Sequence, residues 1–144
     1  MTTNSLAHTR AAVAVLIARL IFAAAFVISL YFKLIDMNGT ALYITSAGLP
    51  LPMMHAWLSV VFELALVACL LTGAYFVEAA LLAAAYILLL AFLFHGPSHW
   101  PENQMELGLF IDHCTFIAGL LYAAAHGPGP FVVSSRRVLG VRRP

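Results

Sequence analysis

Four ionisable side chains stand in stretches that are otherwise Leu, Ile, Val, Phe and Ala: Arg19 in VLIARLIF, Glu63 in VVFELAL, and Asp112 with His113 in LFIDHCTF. A carboxylate or an imidazole in an apolar setting takes up and returns protons. A guanidinium there can bridge two carboxylates that would be costly alone. A charge at the centre of a bilayer costs at least ~2.5–3.5 kcal/mol on insertion scales, so such residues pair with one another or mark a site. Whether they meet depends on the elements that carry them.

Those elements are membrane spans. The chain has 144 residues, 63% hydrophobic and 9% charged, with mean hydropathy +0.98. A soluble domain carries about 25% charged residues. Residues 11–34, 53–71, 75–94 and 104–125 form four long apolar runs, and a spanning helix needs about 20 such residues. The runs are continuous rather than alternating, which points to helices and not to barrel strands. The fold expected is an all-α, integral membrane four-helix transmembrane bundle in one domain. The first run begins like a secretory signal, after Arg10, but exceeds the roughly 7–15 residues of a signal core and is expected to be retained.

Arg10, Arg136, Arg137, Arg142 and Arg143 fall on one side of such a bundle, and Lys33 is counted as the basic residue of the opposite loops. That bias places both termini in the cytoplasm. A tight hairpin at Gly73 joins the second and third spans. Longer outer loops, LIDMNGTALYITSAGLPLP and HGPSHWPENQ, join the others. The net charge of +1 gives no reason to expect nucleic acid.

Counting from the segment ends, Arg19 lies about 13 Å deep and Glu63 at a similar depth, so the two are expected to neutralise each other. Asp112 and His113 lie about 10–12 Å below the outer surface, which makes Asp112 the third member of an Arg19–Glu63 layer. His113 shares a helix face with Glu106, while Asp112, Thr115 and Gly119 share a neighbouring face suited to close packing. His55, His95, His99, Glu102 and Glu106 add an outer set of ligand types. Gly96-Pro97 interrupts the spacing between His95 and His99, so no metal site is assigned; with Tyr43, Trp57 and Trp100 these residues also fit a headgroup belt. Cys69 and Cys114 differ in depth by about 8 Å, too far for a disulfide, and read as packing. NGT at 38–40 matches a glycosylation sequon at a membrane edge.

Phe22, Phe26, Phe62, Phe110 and Phe116 line the spans near these charges. Aromatic walls with an ionisable group at one end suit a quinone headgroup, whose ring stacks while a His or Asp handles the proton. The catalytic candidates are Glu63, Asp112 and His113, and the cofactor-binding candidates are Arg19, Phe22 and Phe116. No haem-attachment motif, CxxC pair, glycine-rich phosphate loop or nucleophile elbow is present in the sequence.

The order LIARLIFAAAFVISLYFKLID, ITSAGLPLP, FELALVACLLTG and LLYAAAHGPGPFVVSSRR resembles the DoxX-like family of small four-helix membrane proteins, from about Arg10 to Ser135. The resemblance implies that Arg19, Lys33, Glu63 and the Gly127-Pro128-Gly129 turn stand at motif positions, with Ser29 in place of the family's Gly. It also implies a relation to the DoxD subunit of thiosulfate:quinone oxidoreduction. The expected function is a bacterial inner-membrane component of a quinone-linked redox system, with quinone as its cofactor and other membrane subunits as partners. The alternative is a non-catalytic accessory subunit, using the Ala-rich side of the third span as its contact surface.

Overall fold

The computed structural model describes residues 2–101 and 103–133, with side chains from residue 8 onward. Glu102 and the basic residues Arg136, Arg137, Arg142 and Arg143 lie outside the described residues.

Helix α1 (Thr2–Ile35) runs without a break through the first apolar segment. It stops at Asp36, whose carboxylate accepts the Gly39 N–H at 2.8 Å and so caps α2 (Met37–Ser46). The connection expected as an outer loop is therefore largely a ten-residue helix that buries Ala41 and Ile44. Pro52 opens α3 (Pro52–Thr72), where its missing N–H leaves nothing unsatisfied. Gly73, at φ 78°, closes that helix by donating to Cys69 O at 2.9 Å. Helix α4 (Phe76–His95) ends ahead of Pro97, and a single 3-10 turn over Pro97–His99 leads on towards α5 (Gln104–His126). Asn103 caps α5 by accepting the Met105 N–H at 3.0 Å, and Gly127 ends it.

All described secondary structure is helical. Among the described residues, four helices are long and apolar enough to cross a membrane: His8–Ile35, Pro52–Thr72, Phe76–His99 and Gln104–His126. The molecule is a multi-pass membrane protein. Helix α1 packs chiefly on α3, and α4 on α5. Phe26 and Leu30 of α1, Leu66 and Leu70 of α3, and Leu120 of α5 meet in the core. On α4 the buried side is Ala79, Ala80, Ala83, Ala84 and Ala91. Small residues let helices approach closely in lipid, so the alanine face is consumed inside the bundle and does not offer the external contact surface the sequence suggested. Large apolar side chains such as Phe32, Leu64 and Leu89 point outward, as lipid requires.

Candidate functional site

Three helices bring one hydrogen-bonding side chain each to a common point. Lys33 of α1 donates to Glu63 Oε1 of α3, and Tyr86 OH of α4 donates to the same oxygen at 2.8 Å. Lys33 Nζ also lies 3.4 Å from the Tyr86 hydroxyl. Glu63 is 1% exposed. Its second oxygen, Oε2, is buried and receives no hydrogen bond from the described residues. The ion pair offsets part of the cost of holding this carboxylate among apolar helices. The sequence expectation for Lys33, a loop residue on the outer face, is thereby corrected: it belongs to α1 and neutralises Glu63.

Arg19 does not join this group, contrary to the layer expected from counting residues. It is 2% exposed and spends its N–H groups on backbone carbonyls: Leu70 O at 3.1 Å, Leu71 O at 2.8 Å, Pro128 O at 3.0 Å and Phe131 O. The first two belong to the last turn of α3, where carbonyls lack helical partners and the helix dipole favours a cation. The others belong to the chain following α5. The guanidinium carbon sits 5.7 Å from the Phe76 ring centroid. Arg19 is thus a clamp between the end of α3 and the Gly127-Pro128-Gly129 turn, and a guanidinium so occupied has no fork left for Glu63 or Asp112.

Two adjoining cavities flank the Lys33–Glu63–Tyr86 cluster. The outer one, about 460 Å³, reaches from Lys33 and Tyr86 to Tyr43, His55 and His95. The inner one, about 270 Å³, is bounded by Phe26, Glu63, Tyr86, Asp112, His113 and Phe116. Ser29, Tyr86, Leu90 and His113 line both. Cavities of this size, mostly apolar with a few convergent polar groups, are typical of small-molecule sites. Of the sequence candidates, Glu63, Asp112, His113 and Phe116 come together around the inner cavity, while Arg19 and Phe22 line neither. Phe22 instead stacks edge-on against Phe116, ring centroids 5.0 Å apart, and holds α1 to α5.

Asp112 is exposed at the cavity rim, and its carboxylate has no hydrogen-bonded partner among the described residues. His113 is oriented by its own helix: Nδ1 lies 2.7 Å from Leu109 O. Its ring centroid is 5.0 Å from that of His95. Glu106, expected on the His113 face, pairs with His95 at 2.6 Å instead. Trp100 Nε1 donates to His95 O at 2.9 Å, fixing the outer rim. Among the described residues no three His, Cys, Asp or Glu side chains gather as a metal ion would need. Cys69 and Cys114 are both free thiols, and Cys114 is exposed rather than packed in the core.

Sequence reasoning placed Lys33 at a motif position through the resemblance but did not pair it with Glu63, and it missed Tyr86. Tyr86 had a usable signal, as the polar group within LLAAAYILLLAFLF; a buried Tyr hydroxyl normally finds a partner.

Four antiparallel spanning helices around a buried ionic cluster define a small helical membrane protein with an intramembrane polar site. The chain belongs to the DoxX family, whose model, described as DoxX, matches residues 14–96. That stretch contains Arg19, Lys33, Glu63 and Tyr86, whereas Asp112 and His113 lie beyond it. No curated protein and no solved structure matches the chain.

Proposed function

We propose that the chain is the membrane component of a quinone-linked redox system, seated in the bacterial inner membrane with both termini cytoplasmic. A quinone headgroup occupies the cavities beside Glu63. One observation carries this reading: a fully buried carboxylate, paired on one oxygen and unpartnered on the other, borders an apolar cavity walled by aromatic rings. Phe26 and Phe116 supply the faces on which a ring packs. Glu63, Asp112 and His113 supply the groups that exchange protons with it. The family supports a membrane protein of this architecture, and the quinone assignment rests on the cavity chemistry.

The test is quinone-dependent electron transfer in membranes carrying Glu63→Gln or Asp112→Asn at wild-type protein levels. Each variant is expected to lose about a hundredfold in rate, the size of one general acid–base contribution. Unchanged turnover in both overturns the proposal. Loss of co-purifying proteins in either variant points to the accessory-subunit role instead.

A further inference from the structure

The free polar atoms around the inner cavity are strongly biased towards acceptors. Glu63 Oε2 is a carboxylate oxygen with no donor to it. Asp112 adds a second carboxylate at the rim. His113 Nδ1 faces the Leu109 carbonyl at 2.7 Å; a carbonyl only accepts, so Nδ1 carries the proton and Nε2 of the neutral ring is a lone pair. The Tyr86 proton is already given to Glu63 Oε1. Lys33, the charged donor of the cluster, lines the outer cavity and not the inner one. Ser29 borders both cavities and, as a hydroxyl, serves either role.

A quinone presents carbonyl oxygens, which only accept. Its reduced form presents two O–H groups, which donate. We infer that the inner cavity selects the dihydroxy, reduced form of the ring, with one hydroxyl donating to Glu63 Oε2 and His113 Nε2 or Asp112 receiving the other. This rests on the quinone reading above and sharpens it to one redox form. A quinone carbonyl placed against Glu63 Oε2 leaves two acceptors face to face at an oxygen that is itself buried. A buried polar group without its partner costs about 1–3 kcal/mol. The reduced ring removes that cost.

The experiment is calorimetric titration of the wild-type protein in detergent with three short-chain probes under anaerobic conditions: a substituted hydroquinone, the matching quinone, and the hydroquinone dimethyl ether. The hydroquinone is expected to bind at least about fivefold more tightly than the quinone, the lower end of the range for one satisfied buried acceptor. The ether, which keeps the ring and loses both donors, is expected to lose that advantage. Glu63→Gln, which places an amide where the free oxygen stood, is expected to level the two affinities. If that variant fails to fold, the comparison of probes on the wild-type protein still decides. A quinone that binds as tightly as the hydroquinone, or more tightly, overturns the selection and leaves the quinone site standing. Absence of binding by both redox forms overturns the site and the selection together.

Discussion

Lys33 and Glu63, on α1 and α3, form an ion pair within the membrane-spanning part of the bundle, with Glu63 almost completely buried. Removing one partner of such a pair leaves an uncompensated buried charge, whereas replacing both is often tolerated. Lys33→Met is therefore expected to destabilise the protein by about 3–5 kcal/mol. The double variant Lys33→Met/Glu63→Met should recover most of that loss. Thermal unfolding in detergent measures both, and a single variant as stable as the wild type would refute the pairing.

Arg19 gives a different kind of prediction because its partners are backbone carbonyls. A lysine retains the charge but not the planar fork that reaches Leu70, Leu71, Pro128 and Phe131 together. Hydrogen bonds to a charged group contribute about 1.5–3 kcal/mol each. Arg19→Lys should therefore loosen the chain after α5 from the end of α3. The Val133 amide, which donates to Thr72 O at 2.8 Å, is the reporter: its hydrogen exchange should accelerate while amides in the middle of α4 stay protected. Equal protection in both proteins would mean that the clamp does not hold this segment.

The spans were legible because bilayer thickness imposes an apolar length, and the four segments met it within a residue or two at most ends. The relative sliding of helices was not. Arg19 meets Leu70 and Leu71, whereas Glu63 lies about 10 Å further along α3, and no count from segment ends encodes that offset. Helix α1 in fact starts well before residue 11, so a depth measured from there was wrong. Glu63 was correctly seen as buried and in need of a partner, but Lys33 was set aside as a loop charge. Its position inside the first apolar run, before Asp36 ends the helix, was the overlooked sign. Helix α2 was hidden for another reason: its ten residues are too short to show as a span, and Asn38-Gly39-Thr40 was read only as a glycosylation sequon in a loop. The cap from Asp36 to Gly39 and the buried pair Ala41 and Ile44 explain it afterwards.

Tyr43 offers a pH-dependent test outside the spans. It stacks on Phe94 with centroids 4.5 Å apart. Burial first, and then the negative charge of Glu106, push its phenol above the ordinary value of 10.0. A raised value means the fold favours the protonated phenol. The associated stability is fully present below pH 10 and is lost as pH rises through the folded value. Phenolate absorbance should show a late-titrating tyrosine that disappears in Tyr43→Phe. Glu106→Gln should move that titration part of the way back. An unmoved titration would mean that Glu106 does not act on Tyr43.

Gly119 of α5 faces the Phe22 ring of α1 near the inner cavity. A Cβ at this position would stand 3.0 Å from Phe22 Cζ and 3.4 Å from its Cε1, so the ring tip need give only by a few tenths of an ångström. Gly119→Ala should therefore cost little. Gly119→Leu cannot be accommodated by that small movement and should cost about 1–3 kcal/mol, as overpacking does. Phe22 is also the ring that stacks edge-on against Phe116 on the cavity wall. The leucine should thus disturb ligand binding as well as stability, although Gly119 itself does not line the cavity. Adding Phe22→Ala to Gly119→Leu removes the clashing ring, so the double variant should be more stable than the sum of the two single losses predicts. Strict additivity in unfolding measurements would show that Gly119 and Phe22 do not press on each other, and that the α1–α5 seam is held elsewhere.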